Sequence, residues 1–517
     1  MSEPGPPRPT DVKRVLARNA AWNYGGFVVN VVTNLLLFPF VVRHLGEAAS
    51  GIWLLLGSLT GYMGLLELGI VPSLTQHVAA ALGAGNRRDV DRTVSTALVV
   101  LSAMMFVALQ GLWLVPSLVG LLQVPAALVT DAQLVFAVSI AGVALRMPLA
   151  AFQAVLLGCQ RQDRCNQLWI VLALSKALAT ALLLIFGFGV VALVVMEATA
   201  HLLAGILQIR WVRQELPDLR LSWRDADRSD ARALVGFGGA VLLTNLCALV
   251  IEQTDRFVIG VFLPVQQVTH YAAAWKLYMM AFSLPTILLQ ALSPVIGHLH
   301  GHGDRRAVRE VFLRMTKYSG AVALPLSVSV GLSSGVLLHV WMGPSFSEAR
   351  LPVQVLLVAF AVTAFNHAGH STLLGLRKVG GLLPLYYVPQ AILNLAVSLL
   401  LVTRYGPLGV ALGTAVPALL LEYAFVAYVL RQVDVPLGEF LQRAVRPAVW
   451  PLPVAFAPLA VAYASRGPDW VPLVPLAGVS AVLYAALFWA WSLNRSERDD
   501  LLRLVRARLW RPVPQES

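Results

Sequence analysis

The sequence predicts an all-α polytopic membrane protein with about fourteen transmembrane helices, arranged as two six-helix repeats and two C-terminal helices. Three observations predict this fold: an apolar composition, long apolar stretches along the whole chain, and an internal repeat. Of the 517 residues, 58% are hydrophobic and 13% are charged, and the mean hydropathy is +0.72. Soluble domains carry roughly 25% charged residues, so a single water-soluble core is excluded.

The apolar stretches have the length of membrane spans, since a transmembrane helix needs about 20 predominantly apolar residues. The first stretch follows a polar, proline-rich segment and lacks a cleavage-site pattern, which predicts a retained helix and not a signal peptide. The stretches begin near Trp22, Trp53, Val94, Gln133, Leu168, Val190, Gly239, Tyr271, Tyr318, Leu351, Leu382, Leu408, Val449 and Val471.

The basic residues are distributed unevenly between the two sides of the membrane. With the amino terminus inside, 31 of the 39 Lys and Arg residues fall in cytoplasmic segments, 4 in outer loops and 4 within helices. This asymmetry follows the positive-inside rule and predicts cytoplasmic amino and carboxyl termini. The formal net charge of +12 is therefore a sign of topology, and we expect no nucleic-acid partner.

The two halves of the chain repeat. The segment 83–90 (GAGNRRDV) recurs at 301–308 (GHGDRRAV), an offset of 218, and two leucine-rich segments recur at an offset of 217. About six spans separate the copies, so the halves have the same orientation, and an axis along the membrane normal is expected to relate them. The last two spans have no partner in the repeat.

These patterns divide the chain into seven segments. The segments 431–446 and 501–509 place apolar residues at helical spacing among arginines, which suits either helices lying on an anionic inner leaflet or basic loops that are simply retained inside. The predicted segments are a cytoplasmic tail (1–19), an N-terminal six-helix lobe (20–209), a cytoplasmic linker (210–234), a C-terminal six-helix lobe (235–430), an interfacial cytoplasmic segment (431–446), two extra helices (447–493) and a basic cytoplasmic tail (494–517).

Charged residues at membrane depth are the candidate functional residues, because such residues are costly there and usually face a bundle interior or a water-filled cavity. Four cations lie in predicted spans: Arg146, Lys176, Arg256 and Lys276. Arg146 and Lys176 are the deepest of them. Either these cations pair with carboxylates between helices, or they line a translocation cavity for a phosphate-bearing substrate.

Acidic and neutral polar residues complete this set. For every acidic residue the same two interpretations stay open, and Glu252 with Arg256, four residues apart, could pair on one helix face. Neutral polar residues could extend a cavity lining: Gln153, Asn366, His367, His370 and Asn394. The acidic residues are Glu67, Glu197, Glu252, Asp255 and Glu422.

Several other classes of site are not expected. The chain has no Walker A sequence and no dinucleotide-binding glycine motif, so we expect neither direct ATP use nor a cofactor. Cys159, Cys165 and Cys247 have no spacing typical of zinc ligands or of a disulfide framework. No predicted loop is long enough for an extramembrane catalytic domain, so an enzyme such as a membrane glycosyltransferase is disfavoured.

The amino-terminal third and the start of the second half resemble the polysaccharide flippases of the MOP (multidrug, oligosaccharidyl-lipid, polysaccharide) superfamily. The resemblance rests on Asn19 and Trp22 and on segments 40–46 (FVVRHLG), 51–53 (GIW), 61–62 (GY), 67–70 (ELGI), 255–260 (DRFVIG), 271–273 (YAA) and 276–277 (KL).

This resemblance implies a bacterial inner-membrane transporter that moves undecaprenyl-pyrophosphate-linked oligosaccharides outward by alternating access. It implies that Arg146, Lys176, Arg256 and Lys276 hold the pyrophosphate or acidic sugars. Coupling to H+ or Na+ would fall to the acidic residues Glu67, Glu252 and Asp255.

The implied partners are the lipid-linked oligosaccharide, membrane lipids and glycan assembly proteins. The last two spans leave a lipid II flippase-like transporter open, and a drug or cation antiporter of the same superfamily is a further alternative.

Overall fold

The computed structural model describes residues 33–64, 69–236, 239–289 and 292–509, and these are almost entirely helical. No β-strand occurs within these ranges. The all-α prediction is therefore confirmed. The predicted start of the first span near Trp22 and the candidate Glu67 lie outside the described residues.

The described helices pack into two units, Met1–Ala272 and Ala273–Ser517. The predicted cytoplasmic linker between the lobes, 210–234, stays a prediction. The helices that lie wholly in the first unit are α1 (Thr33–Leu45), α2 (Glu47–Gly64), α3 (Ile70–Gly83), α4 (Arg87–Leu109), α5 (Val115–Leu121), α6 (Val129–Gly158), α7 (Gln162–Ile185), α8 (Val190–Glu215), α9 (Arg228–Gly236) and α10 (Gly239–Phe262).

The helix α11 (Gln266–Leu289) contains the boundary between the units, and the later helices belong to the second unit. Short 3₁₀ and π segments connect several of them, including the π turn Leu383–Tyr387. These later helices are α12 (Leu292–Gly301), α13 (Arg305–Met342), α14 (Arg350–Thr363), α15 (Asn366–Gly375), α16 (Val388–Tyr405), α17 (Pro407–Gln432), α18 (Leu437–Phe440), α19 (Arg446–Val449), α20 (Leu452–Arg466), α21 (Leu473–Leu487) and α22 (Arg495–Leu509).

Many of these helices have the length and composition of membrane spans. Nine helical stretches of the described residues are long and apolar enough to cross a membrane, and the bent pair Leu437–Val449 and Leu452–Arg466 gives a tenth if it counts as one span. The polytopic membrane fold is confirmed. The count of fourteen is compatible with these helices and stays a prediction.

The loop that carries the sequence repeat has the same backbone geometry in both copies. Gly85 and Gly303 have φ of +69° and +73°, in the left-handed region that favours glycine. The following residue then caps a helix: the side chains of Asn86 and Asp304 accept a hydrogen bond from the backbone N–H three residues later, at 3.2 and 2.9 Å. The sequence repeat therefore corresponds to a repeated local structure.

A second repeated feature is a close helix contact in each unit. A Cβ on Gly158 would lie 2.7 Å from a methyl carbon of Val78, and a Cβ on Gly375 would lie 2.8 Å from the Cβ of Ile296. The partners Val78 and Ile296 are themselves 218 residues apart. Two positions after each glycine, the backbone again has a positive φ, +60° in the first copy and +58° in the second.

The two helices that follow the repeat pack against α13. A buried apolar cluster joins Val336 of α13 to Phe456 of α20 and Tyr484 of α21. At the other end of α13, the Lys317 ammonium donates to both carboxylate oxygens of Glu497 in α22, at 2.5 and 2.6 Å, and both side chains are buried. The long helix α13 therefore anchors the helices after the repeat to the second unit.

We predict that Gly158→Ala and Gly375→Ala each destabilise the protein. An added Cβ has no room at either position, and overpacking of this kind costs about 1–3 kcal/mol. The measurement is the thermal unfolding midpoint of the purified protein in detergent.

Gly83→Ala and Gly301→Ala are the matched controls. These two glycines are related by the same repeat, lie at helix ends, and have no other group within 4 Å of the place that an alanine methyl would take. Both controls should unfold at or above the wild-type midpoint. Equal midpoints for all four variants would contradict the proposed helix contact.

Candidate functional site

Small residues bring α6 and α8 close together in the first unit. A Cβ on Gly142 would lie 2.8 Å from the Cβ of Ala198, and a Cβ on Gly205 would lie 2.5 Å from a methyl carbon of Leu149. Close approach through small residues is a common way for membrane helices to associate. The contact fixes the two helices against each other beside α7.

A cavity of about 190 Å³ lies among α3, α6, α7 and α8. Apolar side chains such as Val71 and Leu172 form part of its wall. Its other lining residues include several that can form hydrogen bonds, and Arg146 carries a permanent positive charge. These lining residues are Arg146, Gln153, Trp169, His201 and Gln208.

Lys176 of α7 lies next to this cavity and is ion-paired. Its ammonium nitrogen is 2.5 Å from Oε1 of Glu197 and 3.3 Å from Nε2 of His201. Glu197 and His201 are one turn apart on α8, so one face of that helix holds the ammonium group. Because His201 also lines the cavity, the structure brings the two deep cations Arg146 and Lys176 to the same region of the first unit.

Arg256 and Asp255, which lie on α10, have partners away from this cavity. The Arg256 guanidinium donates to Oγ of Ser58 at 3.2 Å and to Oε1 of Gln253 at 3.0 Å. Asp255 is 1% exposed and accepts a hydrogen bond of 2.5 Å from the hydroxyl of Tyr271. These contacts fix α10 within the first unit.

The remaining candidates are Glu252, Lys276 and Glu67. Glu252 is exposed, and the expected pair with Arg256 is not among the ion pairs of the residues that the structure describes. Lys276 is partly buried in the portion of α11 that belongs to the second unit. The roles predicted for these residues, and for Glu67, stay predictions.

The neutral polar candidates of the later spans lie in the second unit. Asn394, which is fully buried, donates to the hydroxyl of Thr414 at 2.9 Å and so joins α16 to α17. Asn366, His367 and His370 lie together on α15. Of the neutral polar candidates, Gln153 lines the cavity of the first unit.

Sequence reasoning missed His201 and Gln208. His201 was detectable in principle, because it follows Glu197 by four residues and so shares its helix face. Gln208 is 7% exposed, and a glutamine near the end of an apolar stretch carries no signal of which neighbouring helix it will face.

Comparison with known proteins identifies the family. The family model described as "Polysaccharide biosynthesis protein" matches residues 87–350, over half of the chain. The chain is 22% identical to a putative O-antigen transporter of Shigella flexneri, over 79% of this chain and 97% of the relative. It is 24% identical to the probable flippase AglR of Haloferax volcanii, over 66% of this chain and 68% of the relative.

Two solved structures share the fold. The lipid II flippase MurJ in an inward closed conformation has a TM-score of 0.71 and 10% identity, with 94% of this chain and 100% of that chain covered. An inward-facing MATE family multidrug resistance transporter of the MOP superfamily has a TM-score of 0.67 and 15% identity, with 78% and 95% covered. The chain therefore belongs to the polysaccharide biosynthesis protein family and has the fold of the MOP superfamily of transporters.

Proposed function

We propose that the protein is a flippase that moves undecaprenyl-pyrophosphate-linked oligosaccharides across the bacterial inner membrane for surface polysaccharide synthesis. The names of the relatives, an O-antigen transporter and a flippase, support this proposal. In this proposal the protein works by alternating access and has both termini in the cytoplasm. Its partners are the lipid-linked substrate, membrane lipids and the proteins that assemble the glycan.

The observation that carries the proposal is the cationic cavity of the first unit. Arg146 lines it, and the Lys176 ammonium group contacts His201, which also lines it. A guanidinium group can donate two parallel hydrogen bonds to a phosphate or carboxylate, and such charge-assisted bonds are stronger inside a low-dielectric bundle than in water. A drug or cation antiporter would instead need an acidic lining at this position.

The volume of the cavity limits what it can hold. The cavity measures about 190 Å³. That volume is comparable with the size of one phosphate or one sugar carboxylate and is smaller than an oligosaccharide. We infer that the cavity takes the charged group of the substrate, while the glycan and the lipid lie outside it.

Lys176 has a different role from Arg146 in this proposal. Its charge is already compensated by Glu197, so an anionic substrate would have to compete with that carboxylate. Arg256 and Lys276 are proposed as further substrate contacts, and Glu67, Glu252 and Asp255 as sites of coupling to H+ or Na+. These assignments rest on charge and predicted depth.

We predict that Arg146→Ala reduces flipping about 10- to 100-fold in proteoliposomes, because a lost charge-assisted hydrogen bond costs about 1.5–3 kcal/mol. Arg146→Lys should retain an intermediate rate, since it keeps the charge and loses the planar two-donor geometry. The measurement is the initial rate at which a fluorescent lipid-linked oligosaccharide crosses the bilayer.

Arg213→Ala is the matched control for Arg146→Ala. Arg213 is an exposed arginine in the last turn of α8 and does not line the cavity. The control should flip at the wild-type rate. Equal rates for Arg146→Ala and Arg213→Ala would contradict the proposal that the cavity is part of the transport site.

We also predict that Lys176→Gln and Glu197→Gln each lower the thermal unfolding midpoint more than the double variant does. Each single change leaves one charge without its partner, whereas the double change removes both charges. The double variant should regain stability but flip more slowly than the wild type. If it also flips at the wild-type rate, the pair is purely structural.

A further inference from the structure

A polar cluster lies around the partly buried Glu422 in the second unit. The side-chain amide of Asn366 on α15 donates to Oε2 of Glu422 on α17, at 2.5 Å. Asn366 is 8% exposed, so the hydrogen bond lies inside the packed helices. A neutral amide thus holds the carboxylate in one position.

The surroundings of this cluster are mostly aromatic. His367 packs edge-on against Phe282, with ring centroids 4.8 Å apart, and Tyr386 packs against Phe425 at 5.0 Å. Phe425 follows Glu422 by three residues and lies on the same helix face. Rings of this kind restrict the access of water to the cluster.

Within the part of the chain that the structure describes, no ion pair involves Glu422. By contrast, Glu197 and Glu497 both bind a lysine. Three charged residues on the helices that pack against α17, or on α17 itself, lie near helix ends: Arg350 begins α14, Arg404 is in the last turn of α16, and Arg431 is in the last turn of α17. Lys276 lies in the interior of α11, whose Phe282 packs against His367.

The other titratable groups near the cluster are histidine and tyrosine side chains. On α15 they are His367 and His370, and Nδ1 of His370 lies 2.5 Å from the hydroxyl of Tyr387. The π turn before α16 also contributes Tyr386, and α11 contributes Tyr278, which packs against Phe360.

A carboxylate in this setting favours a compensating positive charge, because removing an unpaired ion even partly from water is costly. A hard metal cation would need several oxygen ligands. Among the described residues, no group of three or more His, Cys, Asp and Glu side chains could hold a metal ion. A proton requires only the carboxylate itself.

We propose that Glu422 is a proton-binding group of the second unit, positioned by Asn366. The proton forms an O–H bond with one carboxylate oxygen, and the other oxygen accepts the hydrogen bond from Asn366. Use of this proton to drive transport rests on the proposed flippase function, whereas binding of the proton does not.

Infrared difference spectroscopy of the reconstituted full-length protein tests the site without any substrate. Spectra are compared between mildly acidic and mildly alkaline buffer, between which surface carboxylates stay ionised. The wild type should lose the C=O band of a protonated carboxylic acid in alkaline buffer. Glu422→Gln should lack this change, while the surface control Asp434→Asn should keep it.

Glu422→Asp keeps the test decisive if the glutamine variant does not fold. The aspartic acid should give the same pH-dependent band at a shifted frequency. An unshifted band in Glu422→Asp, or a band that persists in folded Glu422→Gln, would overturn the proposal. Loss of the wild-type band on addition of sodium at constant pH would assign the site to a metal cation instead, and that would also overturn it.

A second measurement addresses coupling. Flipping by the wild type should accelerate when a pH gradient is imposed across the proteoliposome, and Glu422→Gln should show a smaller acceleration; an equal acceleration would mean that this proton is not used in transport. If the wild type shows the infrared band but no flipping, the proposed function fails while the proton site stands.

Discussion

A charge inside a membrane must be compensated locally, because no bulk water is available to solvate it. In the described part of this chain, ion pairs between helices compensate two lysine side chains. Within the predicted spans Lys176 pairs with Glu197, and just outside them Lys317 pairs with both oxygens of Glu497. Each pair joins two helices, so compensation of charge also determines which helices pack together.

Glycine patterns in the sequence predicted the repeat, and the structure explains why. Gly85 and Gly303 occupy a backbone conformation that other residues rarely adopt, while Gly158 and Gly375 occupy positions with no room for a Cβ. Such requirements restrict these positions to glycine in both halves, so the two copies have the same residue there. The polytopic fold was predictable for a similar reason, since burial in lipid demands long apolar helices.

The partners of the charged side chains could not be predicted in the same way. Depth alone identified Arg146 and Lys176, but the choice of Glu197 for Lys176, and of Asn366 for Glu422, depends on helix rotation and contact. No local pattern encodes those quantities. The two units consequently differ in chemistry despite their common repeat: the first has a cavity with an arginine, and the second has a carboxylate held by an amide.

Cysteine accessibility at position 146 tests most directly whether the cavity is a water-filled substrate site. In a background without Cys159, Cys165 and Cys247, a membrane-impermeant thiol reagent should label Arg146→Cys, and lipid-linked oligosaccharide should slow the labelling. The fully buried Ala144→Cys should stay unlabelled. Equal protection at both positions would contradict the account and leave Arg146 as part of the packing of the helices.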